Sequence, residues 1–342
     1  MLEGSDRTVV VRVLLQGPGP GSVVVKLHLG EGFPEAVVRE PAALSLLHGR
    51  PGALRLLAVS TDPPGVVLGD LGAGGDLACA LLGSDRAAAE AGVVAWATSL
   101  ARLQRLTVHE SAAFASALAE HADRLGRPVP VADPMAATLA TAAEKLAGSL
   151  PRLGITATPE ALAELHGLDA LLGGDVRALT PADACPDNNL WTCDGLVLLD
   201  YEGAQYRHVA WDAAYLRVPW PSCWCAWALP VEVADRALAA WKTAFADPYV
   251  STTGFARDLD VAVLGWTLLS LSIFLDRAVD GIPQTDEEAA VMPTRRTMLQ
   301  HRLLHAPGDD RLPHLSALVR EISAAACAAW DAPPLALAPA FR

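Results

Sequence analysis

The stretch that decides the fold is Asp183-Ala-Cys-Pro-Asp-Asn188-Asn-Leu-Trp-Thr-Cys-Asp-Gly195-Leu-Val-Leu-Leu-Asp200. Its Asp194-Gly195 pair is a strong two-residue turn signal, so residues 189–192 and 196–199 are predicted to form a hairpin. With that turn, Asn189 lies opposite Asp200. The hairpin therefore brings Asn188 and Asp200 together at its open end.

This open end has the chemistry of a metal site. An amide oxygen and a carboxylate side by side suit a hard, oxygen-preferring ion such as Mg²⁺. Asp183 lies five residues before Asn188 and is within reach of the same end. One carboxylate is then available to orient an acceptor hydroxyl while Asn188 and Asp200 hold the metal, which is the division of labour that phosphoryl transfer needs.

Phosphoryl transfer also needs a lysine on the phosphates, and the first part of the chain offers one. Residues 8–16 and 22–29 are rich in β-branched side chains and predict two strands, separated by a loop of glycine and proline. Lys26 lies in the second strand. Glu40 lies in the helix predicted over residues 35–48 and is the candidate partner of Lys26.

The scarcity of two residue types supports this choice. The chain has three lysines, at positions 26, 145 and 242, and two asparagines, at positions 188 and 189. One lysine falls inside a predicted strand and both asparagines fall inside the hairpin segment. Coding bias explains the scarcity but not the location.

With these residues in order, the chain resembles the aminoglycoside phosphotransferase and choline kinase family, relatives of protein kinases. Asp183-x-x-x-x-Asn188, a strand, and Leu199-Asp200-Tyr-Glu202 are similar to the catalytic-loop and metal-binding segments of that family. The resemblance covers roughly residues 4–245. It implies an α+β, protein-kinase-like two-lobed fold, with a small antiparallel β N-lobe and a large, mainly helical C-lobe.

The resemblance also implies roles for individual residues. Asp183 is the expected catalytic base or positioner, and Asn188 and Asp200 are the expected Mg²⁺ ligands. Lys26 is expected to bind the phosphates of ATP or GTP while Glu40 holds it. The hinge, with Gly69 and Asp70, is expected to contact the nucleotide base. Asp212, which follows Trp211, is expected to support the site structurally.

Two departures from the family pattern leave a rival function open. Pro181-Ala182 stands where the family has His-Gly before the catalytic aspartate. Gly4-Ser5-Asp6 is a candidate for the end of a phosphate-covering loop, and there is little room for the strand before it. A non-catalytic, kinase-like (pseudokinase) binding module is therefore the alternative function, and a kinase acting on protein is a third.

The same residues also admit plainer interpretations. Lys26 can be a solvated strand lysine, and the Asp194-Gly195 segment can be hairpin chemistry alone. The joint occurrence of Asp183, Asn188 and Asp200 favours the metal and phosphate site.

The predicted organisation has four parts: an N-terminal β-rich nucleotide-binding lobe at 1–68, a hinge at 69–75, a helical C-lobe at 76–331 and a loose tail at 332–342. The glycine-rich run 69–75 predicts the hinge. The proline-rich composition of the last residues predicts the tail.

Charge narrows the class of partner. The net charge is −13 and the isoelectric point is about 5.1, which argues against nucleic acid or an anionic membrane surface as partner. Asp187 and Glu202 flank the expected reaction centre and are candidate acceptor-binding residues, which suits a small, cationic acceptor.

The apolar run 261–275 is too short to span a bilayer, and no signal pattern precedes it, so a cytoplasmic enzyme is expected. The oligomeric state stays open.

Overall fold

A computed structural model describes residues 3–4, 8–17, 21–29, 34–221, 223, 226–282 and 292–342. Ser5 and Asp6, in the predicted phosphate-covering loop, lie outside these residues. The N-terminal region forms a five-stranded antiparallel sheet in the order β1-β2-β3-β5-β4. Its strands are β1 (Glu3–Gly4), β2 (Thr8–Leu14), β3 (Ser22–His28), β4 (Leu56–Thr61) and β5 (Pro64–Gly69).

The sheet places Lys26 in its middle strand. Lys26 lies opposite Val10 of β2 and Val66 of β5. Because side chains alternate along a strand, Lys26 and His28 point to the same face of the sheet. Both are buried, with 6% and 8% of their surface exposed, so this face is covered rather than solvated.

The rest of the described chain is mainly helical. The first helix, α1, occupies the predicted segment and buries Glu40. The helices are α1 (Ala36–Leu46), α2 (Leu77–Leu82), α3 (Arg86–Thr107), α4 (Ser111–Leu125), α5 (Met135–Ser149), α6 (Pro159–His166), α7 (Ala210–Ala213), α8 (Val231–Phe245), α9 (Thr253–Val279), α10 (Arg295–Leu304) and α11 (Pro313–Ala329). The predicted α+β class, with a small antiparallel sheet and a larger helical part, is confirmed.

Helix α9 contains the apolar run that the sequence marked. Among the described residues, it alone is long and apolar enough to cross a membrane, but 78% of its apolar window is buried inside the protein. Its long buried face packs around Trp211, whose ring lies 6.0 Å from that of Trp266. Such burial is typical of the core helix of a soluble protein.

Two short strand pairs lie in the second half of the chain: β6 (Arg177–Thr180) with β9 (Gln205–His208), and β7 (Asn189–Thr192) with β8 (Gly195–Leu198). The predicted hairpin exists, but its predicted register is wrong. Thr192 pairs with Gly195, so Asn189 lies opposite Leu198 and not Asp200. The Thr192 hydroxyl donates to the Gly195 carbonyl at 2.8 Å and accepts from the Asp194 N–H, which fixes the turn at Cys193-Asp194, one residue earlier than predicted.

The chain divides into two compact units. The first contains Met1–Cys79, Thr98–Asp133 and Arg177–Arg207, and the second contains Ala80–Ala97, Pro134–Val176 and His208–Arg342. This division differs from the predicted boundary at 75/76 because the β7–β8 segment bonds to the residues after the sheet. The Trp191 N–H donates to the Gly75 carbonyl, and the Ala78 N–H donates to the Pro186 carbonyl, both at 2.9 Å.

The C-terminal residues correct a second expectation. Residues 332–342 were expected to be loose, but Leu337 forms a parallel bridge with Ala228, and the Ala338 N–H donates to the Ala228 carbonyl at 3.1 Å. Phe341 is 5% exposed. Burial of this aromatic ring outweighs the disorder that the prolines suggest.

Candidate active site

Lys26 lies at the centre of a cluster of carboxylates in the first unit. Its Nζ is 2.6 Å from Asp200 Oδ1 and 3.2 Å from oxygens of both Glu40 and Glu202. Strand β3 supplies the lysine, α1 supplies Glu40, and the segment after β8 supplies Asp200 and Glu202. The predicted Lys26–Glu40 pair is therefore formed, and the hairpin end joins it.

The cluster is electrostatically unbalanced, since three carboxylates surround one ammonium group. Burial opposes the charge of Lys26, but Glu40, Asp200 and Glu202 together raise its pKa. Burial likewise opposes the charge of Glu40, but Lys26 and His28 lower the pKa of this carboxyl. At Asp200, burial and the neighbouring Glu40 and Glu202 outweigh Lys26 and raise the pKa. The excess negative charge favours a bound cation.

His28 is a member of the cluster that the sequence analysis missed. Its Nε2 is 3.3 Å from Glu40 Oε2, so Glu40 lies between an ammonium group and an imidazole. The signal was present in the sequence, because His28 is two residues after Lys26 and a strand repeats every two residues.

The loop that carries Asp183 has a constrained backbone. Ala182 has φ 68°, a left-handed conformation that is unfavourable for a residue with a Cβ. The Ala182 N–H donates to the Thr180 hydroxyl at 3.0 Å, and Arg207 Nη2 lies 3.5 Å from the Ala182 carbonyl oxygen. Thr180 and Arg207 thus hold the Pro181-Ala182 segment.

Asp183 itself is poised between its two protonation states. Asp183 as a whole is exposed to solvent. Burial of its carboxyl group by the surrounding protein, together with the negative charges of Asp200, Asp187 and Glu202, raises the pKa of Asp183 to about 6. Arg207 acts in the opposite direction. A carboxylate with this pKa is suited to accept a proton near neutral pH.

The two asparagines of the hairpin segment have different tasks. Asn188 Nδ2 donates to the Asp183 carbonyl at 2.8 Å, which fixes the amide at the expected metal site. Asn189 is 1% exposed, and its side chain bonds to backbone: Oδ1 accepts from the Leu77 N–H at 3.0 Å, and Nδ2 donates to the Pro186 carbonyl at 2.8 Å. Asn189 is therefore structural.

The side chains of Asn188 and Asp200 fit a hard divalent cation. The bond from Asn188 Nδ2 leaves Oδ1 of the same amide without a donor among the described residues. Asp200 accepts from Lys26 through Oδ1, which leaves Oδ2 for a metal. The Leu199 N–H donates to the Asn188 carbonyl at 2.9 Å, which holds Asn188 next to the Leu199-Asp200 pair at the open end of the hairpin. Oxygen donors and surplus negative charge are what Mg²⁺ requires.

The predicted hinge residues are engaged with protein groups. The Gly69 N–H donates to the Arg55 carbonyl at 2.8 Å. The Asp70 carboxylate forms an ion pair with Arg12 at 2.7 Å and accepts from the Ser22 hydroxyl at 2.6 Å. Over the described ranges, no partner bonds the backbone N–H or C=O of Asp70. If Asp70 contacts a nucleotide base, it therefore does so through its backbone and not through its carboxylate.

Gly74 marks the close approach of the hinge segment to the hairpin. A Cβ at this position would lie 2.2 Å from the Trp191 carbonyl oxygen. Gly74→Ala is therefore expected to lower the free energy of unfolding by roughly 1–3 kcal/mol, because overpacking against backbone is not relieved by a rotamer change. Thermal or urea unfolding measures this loss. The control is Gly75→Ala, whose Cβ meets nothing within 4 Å. Equal stabilities of the two variants would contradict the close approach.

The remaining predicted residues fall in different places. Glu202, a candidate residue for binding the acceptor, forms an ion pair with Lys26. Asp187 acts on Asp183 through its charge, within the same loop. Asp212 belongs to the second unit, where it is 1% exposed in α7. The supporting role of Asp212 stays a prediction.

No protein-family model and no curated protein sequence matches this chain. Solved structures do match it. A choline/ethanolamine kinase family protein from Mesorhizobium loti matches with a TM-score of 0.52 and 12% identity, over 91% of this chain and 92% of that chain. The ethanolamine kinase of Plasmodium vivax matches with a TM-score of 0.54 and 10% identity, over 90% and 81%.

Both likenesses confirm the predicted protein-kinase-like fold and, at the level of fold, the resemblance to the choline kinase family. The ternary complex streptomycin-ATP-APH(2″)-IIa also matches, with a TM-score of 0.48 and 12% identity, over 84% of this chain and 89% of that chain.

Proposed function

We propose that the chain is a small-molecule kinase that transfers the γ-phosphoryl group of ATP or GTP to a hydroxyl group of a small, cationic metabolite or antibiotic. The observation that carries this proposal is Lys26, buried in β3 between Glu40 of α1 and Asp200 at the hairpin end. Phosphoryl transfer of the kinase type needs a strand lysine paired with a helix glutamate and, beside them, a carboxylate that can bind metal.

The residues divide the work as follows. Asn188 and Asp200 would hold Mg²⁺, which would supply positive charge to the phosphate oxygens. Lys26 leaves Asp200 for the phosphates and keeps Glu40 as its partner. Asp183 accepts a hydrogen bond from the acceptor hydroxyl, orients its oxygen toward the phosphorus, and takes its proton. The acceptor oxygen bonds to the γ-phosphorus as the bond from this phosphorus to the bridging β,γ-oxygen breaks, and the nucleoside diphosphate leaves. Positioning and charge stabilisation are the main contributions of the protein to this step.

Charge supports a cationic acceptor. Asp187 and Glu202 both act on Asp183 through their negative charges, and the whole chain carries a net charge of −13. Such a field attracts ammonium groups and repels nucleic acid. We place the enzyme in the cytoplasm, where nucleoside triphosphates are plentiful.

One observation favours a second candidate, a binding module without catalysis. The catalytic-loop residue before Asp183 is an alanine with φ 68°, at the position where the family pattern has glycine. A loop that tolerates this strain can have lost its catalytic role while it keeps the nucleotide site. Such a module binds Mg-nucleotide and transfers no phosphoryl group.

Release of nucleoside diphosphate from Mg·ATP and Mg·GTP separates the two candidates. The assay runs with and without aminoglycosides, other basic antibiotics and amino alcohols as acceptors. The kinase is expected to show acceptor-stimulated release that Asp183→Asn lowers by about 10²–10⁴-fold, because the variant cannot accept the proton. Asp123→Asn, an exposed change on α4, is the control and is expected to keep wild-type rates.

Acceptor-stimulated release that Asp183→Asn leaves intact would contradict the assignment of the base. Nucleotide binding without stimulated release from any acceptor favours the binding module.

A further inference from the structure

A cavity of about 480 Å³ lies inside the first unit, on elements that also carry the candidate active site. Its walls come from the second half of α3, the segment after α1 and the β7–β8 hairpin. The apolar walls include Leu47, Leu103, Leu198 and Tyr201, and each of these residues is at most 6% exposed. None of the residues assigned to nucleotide, metal or acceptor lines it.

The mouth of the cavity is different in character. Pro51, Gly52, Arg102 and Asp194 line it and are exposed. Across the part of the chain that the structure describes, neither the Arg102 guanidinium nor the Asp194 carboxylate forms a hydrogen bond or ion pair. The cavity is thus partly open and mainly apolar, and its mouth carries an unpaired cation on a helix and an unpaired carboxylate in a turn. The volume is within the range of about 300–1,000 Å³ that small-molecule sites occupy.

Charge selects the class of ligand. Arg102 is fixed to α3, whereas Asp194 lies in the turn between β7 and β8. Arg50, close to the same wall, is already paired with Glu110 and with the Leu106 carbonyl, so Arg102 is the cation among the lining residues. The guanidinium group of an arginine can bind a carboxylate through two parallel hydrogen bonds. A single aspartate in a turn does not offer an equivalent two-bond arrangement to an amine.

We propose that this cavity binds a small apolar carboxylic acid, with its carboxylate on Arg102 and its apolar body against Leu103, Leu198 and Tyr201. Leu198 and Tyr201 flank the Leu199-Asp200 pair in the sequence, so the ligand contacts the segment that carries a predicted metal ligand. The site is separate from the proposed nucleotide and acceptor site, and its test does not depend on kinase activity.

Isothermal titration of the full chain with decanoate tests the proposal, with decylamine as the matched amine of equal chain length. Decanoate is expected to bind at one site per chain, at least tenfold more tightly than decylamine. Arg102→Gln is expected to weaken decanoate binding at least tenfold. Arg127→Gln, which removes an exposed arginine outside the cavity, is the control and is expected to bind as the wild type does.

Ala53→Phe fills the cavity from its wall and is expected to abolish binding while the melting temperature stays near that of the wild type. Three results would overturn the proposal: no decanoate binding, tighter binding of decylamine, or unchanged binding by Arg102→Gln or by folded Ala53→Phe. A wild-type melting temperature for Arg102→Gln shows that its loss of binding is not a loss of folding.

Discussion

Asp200→Asn is expected to lower acceptor-stimulated nucleoside diphosphate release by about 10²–10³-fold. The amide is a weaker ligand for Mg²⁺ than the carboxylate, and it cannot form the ion pair that holds Asp200 Oδ1 2.6 Å from Lys26 Nζ. Asn is the right replacement because Asp200 has φ 55°, a conformation that Asn accepts as readily as Asp does. The fold is therefore expected to survive the change.

The decisive measurement is turnover as a function of Mg²⁺ concentration. The variant is expected to need more Mg²⁺ for half-maximal rate, which a merely structural defect does not produce. Asp123→Asn serves again as control, since it removes an exposed carboxylate from α4. If Asp200→Asn has the wild-type rate and the wild-type Mg²⁺ requirement, Asp200 is not the metal ligand.

The sequence predicted those parts of the site that depend on spacing within one segment. Asn188 and Asp200 meet at the open end of the β7–β8 hairpin because the turn is local. The detailed register was wrong by two residues, because the Thr192 side chain bonds across the turn and moves it to Cys193-Asp194. The spacing of turn residues in a sequence does not predict such hydrogen bonds between a side chain and the backbone.

The Lys26–Glu40 pair was predictable for another reason. A lone lysine in a strand, followed by a helix with a glutamate, implies a contact when the helix packs on the sheet. What the sequence did not reveal was the number of partners. Glu202 and His28 join the pair through tertiary contacts, and Asp70 turns its carboxylate to Arg12 and Ser22. The two-residue repeat of a strand places His28 on the same face as Lys26, but which polar groups these side chains, Glu202 and Asp70 contact is decided by the tertiary structure.

The apolar cavity was beyond the reach of the sequence altogether. Leu47, Leu103, Leu198 and Tyr201 come from segments far apart in the chain, and each looks like an ordinary core residue in its own segment. A void appears only when the volumes of such side chains fail to fill the space between elements. Pattern analysis identifies core residues but does not sum their volumes.

Lys26→Met is expected to have the largest effect on stability. The change leaves Glu40, which is 1% exposed, beside two further carboxylates without the ammonium group that holds them together. Breaking a buried ion pair by removal of one partner costs roughly 3–5 kcal/mol. Urea unfolding is expected to show a loss of this size, and turnover is expected to fall at least about 10²-fold because the phosphates lose their cation.

The pH dependence of this loss tests its electrostatic origin. In the wild type, Lys26 and His28 hold the pKa of Glu40 below its ordinary value, so the stability contributed by Glu40 is present above its unfolded pKa of about 4.3 and is lost as pH falls through the folded pKa. Without Lys26, burial dominates and raises the pKa of Glu40. In this variant, the stability that Glu40 contributes is therefore present at low pH, where its carboxyl group is protonated, and is lost as pH rises.

The stability difference between wild type and Lys26→Met is therefore expected to be smaller near pH 5 than near pH 8, in unfolding curves recorded at both values. Lys145→Met is the matched control, because Lys145 is exposed on α5 and its removal leaves no buried carboxylate unpaired. A difference that is the same at both pH values would mean that the loss comes from packing of the lysine side chain and not from the three carboxylates around it.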